Sequence, residues 1–258
     1  MTAVTDKSKG LKVAVGVPCA EVGRYSIFWE SLLHVRGVTN DNVICGRSAN
    51  VAENRNGIAK LAIQAGYDAI WYVDDDQVLS PDTLTRLINR DKDIVSGLYL
   101  KREVPWIPHM YTETPSRLSR VGGWSPRLLQ HGDDGLVEVE TTGAGCLLVK
   151  THVLKAMEGP LWRLGQYDKV NWSDDHDFLS RARAKGFKVY VDLDCPVGHQ
   201  INATIWPLRQ PDGTWTSALV QGHEAIAIWP AAEEKPVEQN GEQDSQGMVD
   251  SIKEGGAR

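Results

Sequence analysis

Trp71-Tyr72-Val73-Asp74-Asp75-Asp76-Gln77 is the stretch on which the reading of this chain turns. Ala69 to Val73 is an apolar run of strand length, and three carboxylates follow it directly. Adjacent like charges repel, so a packed core tolerates the three acids only beside a cation, most simply a divalent metal. Taken by themselves they fit a solvated acidic loop equally well. Their neighbours in the chain separate the two readings.

The segments around the triplet alternate in period. Lys12 to Val17 reads as a buried strand whose end meets a loop at Pro18-Cys19-Ala20. Ile27, Phe28, Leu32 and Leu33 space out like one helix face, and Asn42 to Cys45 is again strand-like. Ser48 or Asn50 caps a following helix with Val51, Ile58, Leu61, Ala62 and Ala65 inward and Gly66 just past its end. Arg47 and Arg55 flank its first turns, where a solvated side chain is the ordinary expectation. Ser80-Pro81-Asp82 marks another helix start, with a Ser cap and Pro in first position. Leu84, Leu87 and Ile88 face inward from it, and Ile94 to Tyr99 is the next strand. Alternating helices and continuously apolar strands predict an α/β fold with a mostly parallel sheet flanked by helices. Such sheets bind ligands beyond the C-terminal ends of their strands, the position the acids occupy.

Beyond this the pattern is less regular. Lys101 to Gln130 loses its period and mixes Lys101, Arg102, Arg117, Arg120 and Arg127 with Trp106, Tyr111 and Trp124. A segment of that length is a binding loop or an ordered surface excursion. Leu136 to Glu140 and Cys146 to Val149 read as strands joined by Thr141-Thr142-Gly143-Ala144-Gly145. The glycines permit close backbone approach to a ligand, or simply a turn. Thr151 caps a short helix. Ser173 caps another, with Asp174 and Asp175 in its first turn, where the helix dipole favours acids, and Phe178, Leu179 and Ala182 inward. Phe187 to Val191 is a further strand, followed by His199, which taken alone reads as a structural histidine.

The 258 residues suffice for one large domain, and 41% hydrophobic with 24% charged residues is ordinary globular composition. The net charge of −6 argues weakly against a broad nucleic-acid surface, but residues 231–258, with seven acids and three bases, supply −4 of it. That tail has almost no apolar content and is expected to be disordered. Residues 1–10 are expected to be flexible, leaving 11–230 as the folded domain. Cys19, Cys45, Cys146 and Cys195 lack metal spacing and read as buried free thiols of a reducing compartment. The polar N-terminus carries no signal-peptide run, and no apolar segment approaches about 20 residues. The expectation is a cytoplasmic protein without a membrane partner.

A strand ending in Asp-x-Asp, a glycine loop before an apolar strand, an acid pair opening a helix, and a His after the next strand form an ordered set. That set is similar to glycosyltransferases of the family 2 type, with the GT-A (Rossmann-like) fold. Asn50 to Asn56, Val73 to Gln77, Asp93 to Leu100 and Gly143 to Val149 resemble phrases of phage-encoded members, across roughly residues 12–200. The resemblance implies a metal-dependent, inverting transfer of sugar from a nucleotide-diphosphate sugar, such as a UDP-sugar, to a hydroxyl. It implies Mn²⁺ or Mg²⁺ held by Asp76 and His199, with Asp74 near the metal or ribose and Asp75 beside them. Asp175, paired with Asp174, is implied as the general base. Pro18 and Arg55 resemble nucleotide-binding positions, and Gly143 and Gly145 would approach the donor sugar or acceptor. The family's acid pair is Glu-Asp, whereas here Asp174-Asp175 precedes His176 and Asp177, so the choice of base among the three aspartates stays open.

A protein or glycan acceptor ranks above a hydroxymethylated DNA base on charge, and a phage enzyme would act in the host cytoplasm. Two other classes compete. A nucleotidyltransferase making NDP-sugars would carry a Gly-rich basic signature after the first strand, which Val17-Pro18-Cys19-Ala20-Glu21 lacks. A non-catalytic sugar-nucleotide-binding module would make the acid pair and His199 incidental. Spacing encodes neither the sugar nor the oligomeric state.

Overall fold

A computed structural model describes residues 10–19, 25–102, 106–114, 123–167, 170–201, 204–221 and 224–230. Ala20, Glu21, Arg117, Arg120 and the acidic 231–258 tail lie outside the described residues. The chain begins with β1 (Val13–Val17), α1 (Ser26–His34), β2 (Val43–Cys45), α2 (Val51–Gln64), β3 (Ala69–Val73), β4 (Gln77–Val78), α3 (Thr83–Asn89) and β5 (Ile94–Leu98). Next come β6 (Met110–Thr114), β7 (Gly123–Pro126), β8 (Leu136–Val139), β9 (Thr141–Thr142), β10 (Cys146–Lys150) and α4 (Thr151–Ala156). The rest is β11 (Gly165–Tyr167), β12 (Val170–Trp172), α5 (Asp174–Ala184), β13 (Val189–Pro196), β14 (Gly198–Gln200), β15 (Thr204–Arg209), β16 (Trp215–Gln221) and β17 (Glu224–Pro230).

The main sheet has seven strands in the order β2-β1-β3-β10-β5-β13-β8. Five run one way, while β10 and β8 oppose them, so the expected mostly parallel sheet is a mixed one. Side chains of a strand alternate between faces, and both faces of β3 are buried. Ile70 and Tyr72 join a core with Ile58, Ala62, Val153, Leu154, Phe178 and Leu179, from α2, α4 and α5. Trp71 and Val73 join the opposite core with Phe28, Leu32, Leu84 and Leu87, from α1 and α3. Helices therefore cover both faces, which explains why the strands read as unbroken apolar runs.

Several local expectations shift. In α1, Phe28 and Leu32 face the core, but Ile27 and Leu33 point outward, because an i,i+4 pair shares a face that a wider set cannot. In α2 the buried side is Ala52, Asn54, Arg55, Ile58, Ala59 and Ala62, and Leu61 is exposed. Helix α3 starts at Thr83, later than Ser80 predicts, since Ser80-Pro81-Asp82 closes a preceding turn through Thr83 N–H to Ser80 O. Thr151 opens α4 without capping it; its hydroxyl donates to Tyr67 O. All four cysteines are thiols, but Cys45 is exposed.

Two regions carry order that periodicity missed. Met110–Thr114 pairs with Gly123–Pro126 and with β9, so part of the 101–130 segment is a small sheet. From Gly198 the chain forms a meander, β14 to β17, whose first strand holds His199 and also pairs with β4. Among the described residues no helix is long and apolar enough to cross a membrane.

Topology brings distant segments to one sheet edge. Triplet and Tyr99 to Arg102 follow the C-terminal ends of β3 and β5, and His199 follows that of β13. Strand β10 runs antiparallel, with Cys146 opposite Val73, so the Gly143–Gly145 loop enters at this same edge. Helix α2 arrives there with its N-terminus, where the Asn50 carboxamide oxygen accepts from Ala52 N and Glu53 N at 2.9 and 3.3 Å. Asn50→Ala should lower stability by about 1 kcal/mol in urea unfolding. A loss within a few tenths would mean that the cap bonds contribute little.

Candidate active site

Arg55 ties the two acidic clusters together. It lies on the inner side of α2, only 3% exposed, with Nη2 donating to both Asp74 carboxylate oxygens at 2.8 and 3.1 Å. Nη1 donates to Asp174 Oδ2 at 2.8 Å, and the guanidinium lies over Trp162, 5.3 Å from the ring centroid. Burial works against the charge, yet Asp74, Asp174 and Asp175 hold its pKa above the ordinary value. Burial likewise pushes the Asp174 carboxyl up, with Arg55 pulling it back. The solvated side chain expected of an arginine applies to Arg47, which is exposed, and fails for Arg55.

Asp75 and Asp76 are each 8% exposed. Pairing of β4 with β14 sets His199 opposite Gln77, and Gln200 N donates to Asp76 O at 2.7 Å. His199 Nε2 stands 3.6 Å from Asp76 Oδ2, and its Nδ1 lies 2.6 Å from Leu100 O. A carbonyl oxygen only accepts, so Nδ1 carries the hydrogen and Nε2 is the ring nitrogen turned towards Asp76. Arg102 is a second neighbour of the same carboxylate, with Nη1 at 3.1 Å from Asp76 Oδ2. Burial raises the Asp76 pKa, but His199 and Arg102 outweigh it and hold the carboxyl below its ordinary range.

The glycine loop joins the clusters through its backbone. Asp74 N donates to Gly145 O at 3.0 Å, and Ala144 N donates to Asp175 Oδ2 at 3.3 Å. A Cβ on Gly143 would stand 2.1 Å from the Tyr99 hydroxyl, and Gly145 N donates to that hydroxyl at 3.0 Å. Gly143 thus allows close approach to Tyr99, and Gly145 to both Gln77 and Tyr99.

Three aspartates open α5 and have three environments. Asp174 faces Arg55, and Asp177 is clamped by Arg163 and Arg181 at 2.7 and 2.8 Å. On Asp175, Oδ1 accepts from the Ser173 hydroxyl and from His176 N at 2.8 Å. Ser173 occupies the predicted cap position, but its hydroxyl serves Asp175 instead of the helix backbone. Burial raises the Asp175 pKa, and His176, Arg55 and Ser173 more than offset it, so the carboxyl lies below its ordinary value of 3.8. Around it His109 stacks on Tyr99 at 4.9 Å, and His176 meets Tyr111 and Trp124 edge-on at 4.9 and 5.0 Å. Burial lowers the His109 pKa to about 3, keeping that ring neutral at pH 7.

A cleft of about 190 Å³ opens over the triplet, lined by Pro18, Ser48, Asn54, Asp74, Asp75, Asp76 and Arg102, among others. Of the positions expected at the nucleotide, Pro18, Asp74 and Asp75 line it and Arg55 does not; Gly143 and Gly145, expected at the sugar or acceptor, do not line it either. Asp76 and His199 come together, 3.6 Å apart, whereas Asp74 is engaged by Arg55. Among the described residues no group of three or more His, Cys, Asp or Glu side chains converges to hold a metal. Arg102 is a site residue that motif reading passed over. Its sequence signal was a basic residue just past the C-terminal end of a core strand.

No family model matches the chain, and no curated protein matches it. Among solved structures it is similar to the crystal structure of A197 from STIV, with a TM-score of 0.54 and 18% identity. The match covers 87% of this chain and 100% of that one. What the two share is the fold. At such identity the likeness extends over almost the whole domain but says nothing of the residues at the sheet edge.

Arg55→Ala should destabilise the chain by about 3–5 kcal/mol in urea unfolding, because it strands the buried Asp174. Adding Asp174→Asn should recover part of the loss. Equal stability of the single variant and the parent would remove Arg55 as the organising cation.

Proposed function

We propose that this chain is a metal-dependent, inverting glycosyltransferase of GT-A type. In this reading it moves a sugar from a nucleoside-diphosphate sugar, UDP-linked, to a hydroxyl of a macromolecular acceptor. The observation that carries the reading is the shared sheet edge, where the acid-lined cleft, His199 and Asp175 lie on elements far apart in the chain. A nucleotidyltransferase or a passive binding module gives Asp175 and the oriented His199 no task.

Asp76 and His199 fit a divalent cation. One offers a carboxylate oxygen, the other a ring nitrogen whose partner nitrogen is fixed by Leu100 O, as the free N–H of a ligating histidine usually is. Mn²⁺ or Mg²⁺ held there would neutralise the charge that develops on a departing diphosphate. Asp74, committed to Arg55, serves the cleft wall on the nucleotide side, with Asp75 and Pro18 beside it.

Asp175 is the base in this reading. Asp174 and Asp177 are neutralised by arginines, whereas among the described residues Asp175 Oδ2 has only the long bond from Ala144 N–H. Its carboxylate takes the proton from the acceptor hydroxyl as that oxygen bonds to the anomeric carbon. The bond to the diphosphate oxygen breaks on the opposite side, and the nucleotide leaves with the electron pair, inverting the centre. The depressed pKa keeps the base ionised throughout the neutral range.

A protein or glycan acceptor fits better than a hydroxymethylated DNA base. Of the described cations in the 101–130 segment, Arg127 is used internally on Asp133 and Lys101 over the Tyr111 ring, so they form no phosphate-binding row.

Asp175→Asn should cut transfer by about 100-fold or more while leaving donor affinity within about twofold, measured by single-turnover transfer and calorimetry. Loss of donor binding instead would make Asp175 a structural cap. Since the Asp175 carboxyl lies below 3.8, kcat/KM should show no acid limb from this group between about pH 7 and about pH 5. A limb near pH 6 would assign the base elsewhere. Thermal shifts with a panel of nucleotide-sugars, with and without Mn²⁺, test donor and metal together.

A further inference from the structure

The Arg102–Asp76 ion pair has no part in the reaction as described. Asp76 Oδ2 faces the Arg102 guanidinium at 3.1 Å and His199 Nε2 at 3.6 Å, so one oxygen serves both. The Asp76 side chain is 11% exposed and that of Arg102 44%, so the guanidinium reaches over a nearly buried acid from the solvent side. The backbone just before it is pinned independently of that reach. Leu100 bridges to Pro108, Lys101 N donates to Ile107 O at 2.8 Å, and Leu100 O holds His199 Nδ1. The Arg102 side chain can therefore swing away without releasing His199. It also lines the acidic cleft, so leaving Asp76 does not take it out of the site.

A guanidinium and a divalent ion on the same carboxylate oxygen repel each other, so they exclude one another there. We propose that Arg102 competes with the divalent cation for Asp76, and that the displaced guanidinium then binds the anionic diphosphate of the donor in the same cleft. The inference rests on the glycosyltransferase reading. It adds a positioning residue whose two partners, carboxylate and phosphate oxygens, are the ones a planar guanidinium recognises best. The exchange would also couple metal entry to donor capture, because the cation frees the group that receives the phosphates.

Calorimetric titration of the full chain with Mn²⁺, and then with uridine diphosphate in saturating Mn²⁺, tests this without reference to turnover. Arg102→Ala should bind Mn²⁺ about fivefold more tightly, as removal of a half-exposed ion pair predicts. The same variant should bind uridine diphosphate about fivefold more weakly or worse. Arg102→Lys, which keeps the charge, should stay near the parent for Mn²⁺. Unchanged or weaker Mn²⁺ binding by Arg102→Ala, with Asp76→Asn abolishing it, overturns the competition and leaves the metal reading standing. Absence of Mn²⁺ binding by parent and variant alike overturns both. Unchanged uridine diphosphate affinity removes the second role of Arg102.

Discussion

One buried guanidinium organises this molecule. Arg55, from the inner side of α2, is shared between Asp74, just past β3, and Asp174, at the start of α5. Taking a charge out of water is costly, and only close carboxylates with good hydrogen bonds repay it. Three segments distant in sequence are thereby held to one geometry. Trp162 under the guanidinium, packed in turn on Tyr72 and Phe178, completes a polar centre on an apolar floor.

The sheet explains why the acids gather where they do. Parallel strands β1, β3, β5 and β13 deliver their C-terminal ends to one edge, and β10, entering against them between β3 and β5, returns the glycine loop to that edge. The backbone of this loop then bonds Asp74 on one side and Asp175 on the other. A fully parallel sheet would have placed the start of β10 at the opposite end.

Charge at this edge is divided with little overlap. Arg55 satisfies Asp74 and Asp174, Arg163 and Arg181 satisfy Asp177, and Arg102 reaches Asp76. Asp175 is held by hydroxyl and amide donors instead. Such sorting gives chemically identical side chains different environments, since local partners shift each carboxylate's ionisation in their own direction.

Continuous apolar strands alternating with helical periods already determined the α/β class and put the acidic triplet at a strand end, because burial on two faces leaves that pattern in composition. Gly66 past α2, with φ +73, and a cap at Ser48 or Asn50 were legible for the same local reason, and the structure selects Asn50. The strands after His199 and the small sheet of β6, β7 and β9 were not read, since short strands outside the main sheet lack a long alternating run. Tertiary structure alone decided the rest. It turned Arg55 from a helix-surface residue into a buried clamp, set Gly143 and Gly145 against Tyr99, and brought Arg102 onto Asp76. Those outcomes depend on which residues meet across the sheet edge, and local periodicity carries no record of partners brought together by topology.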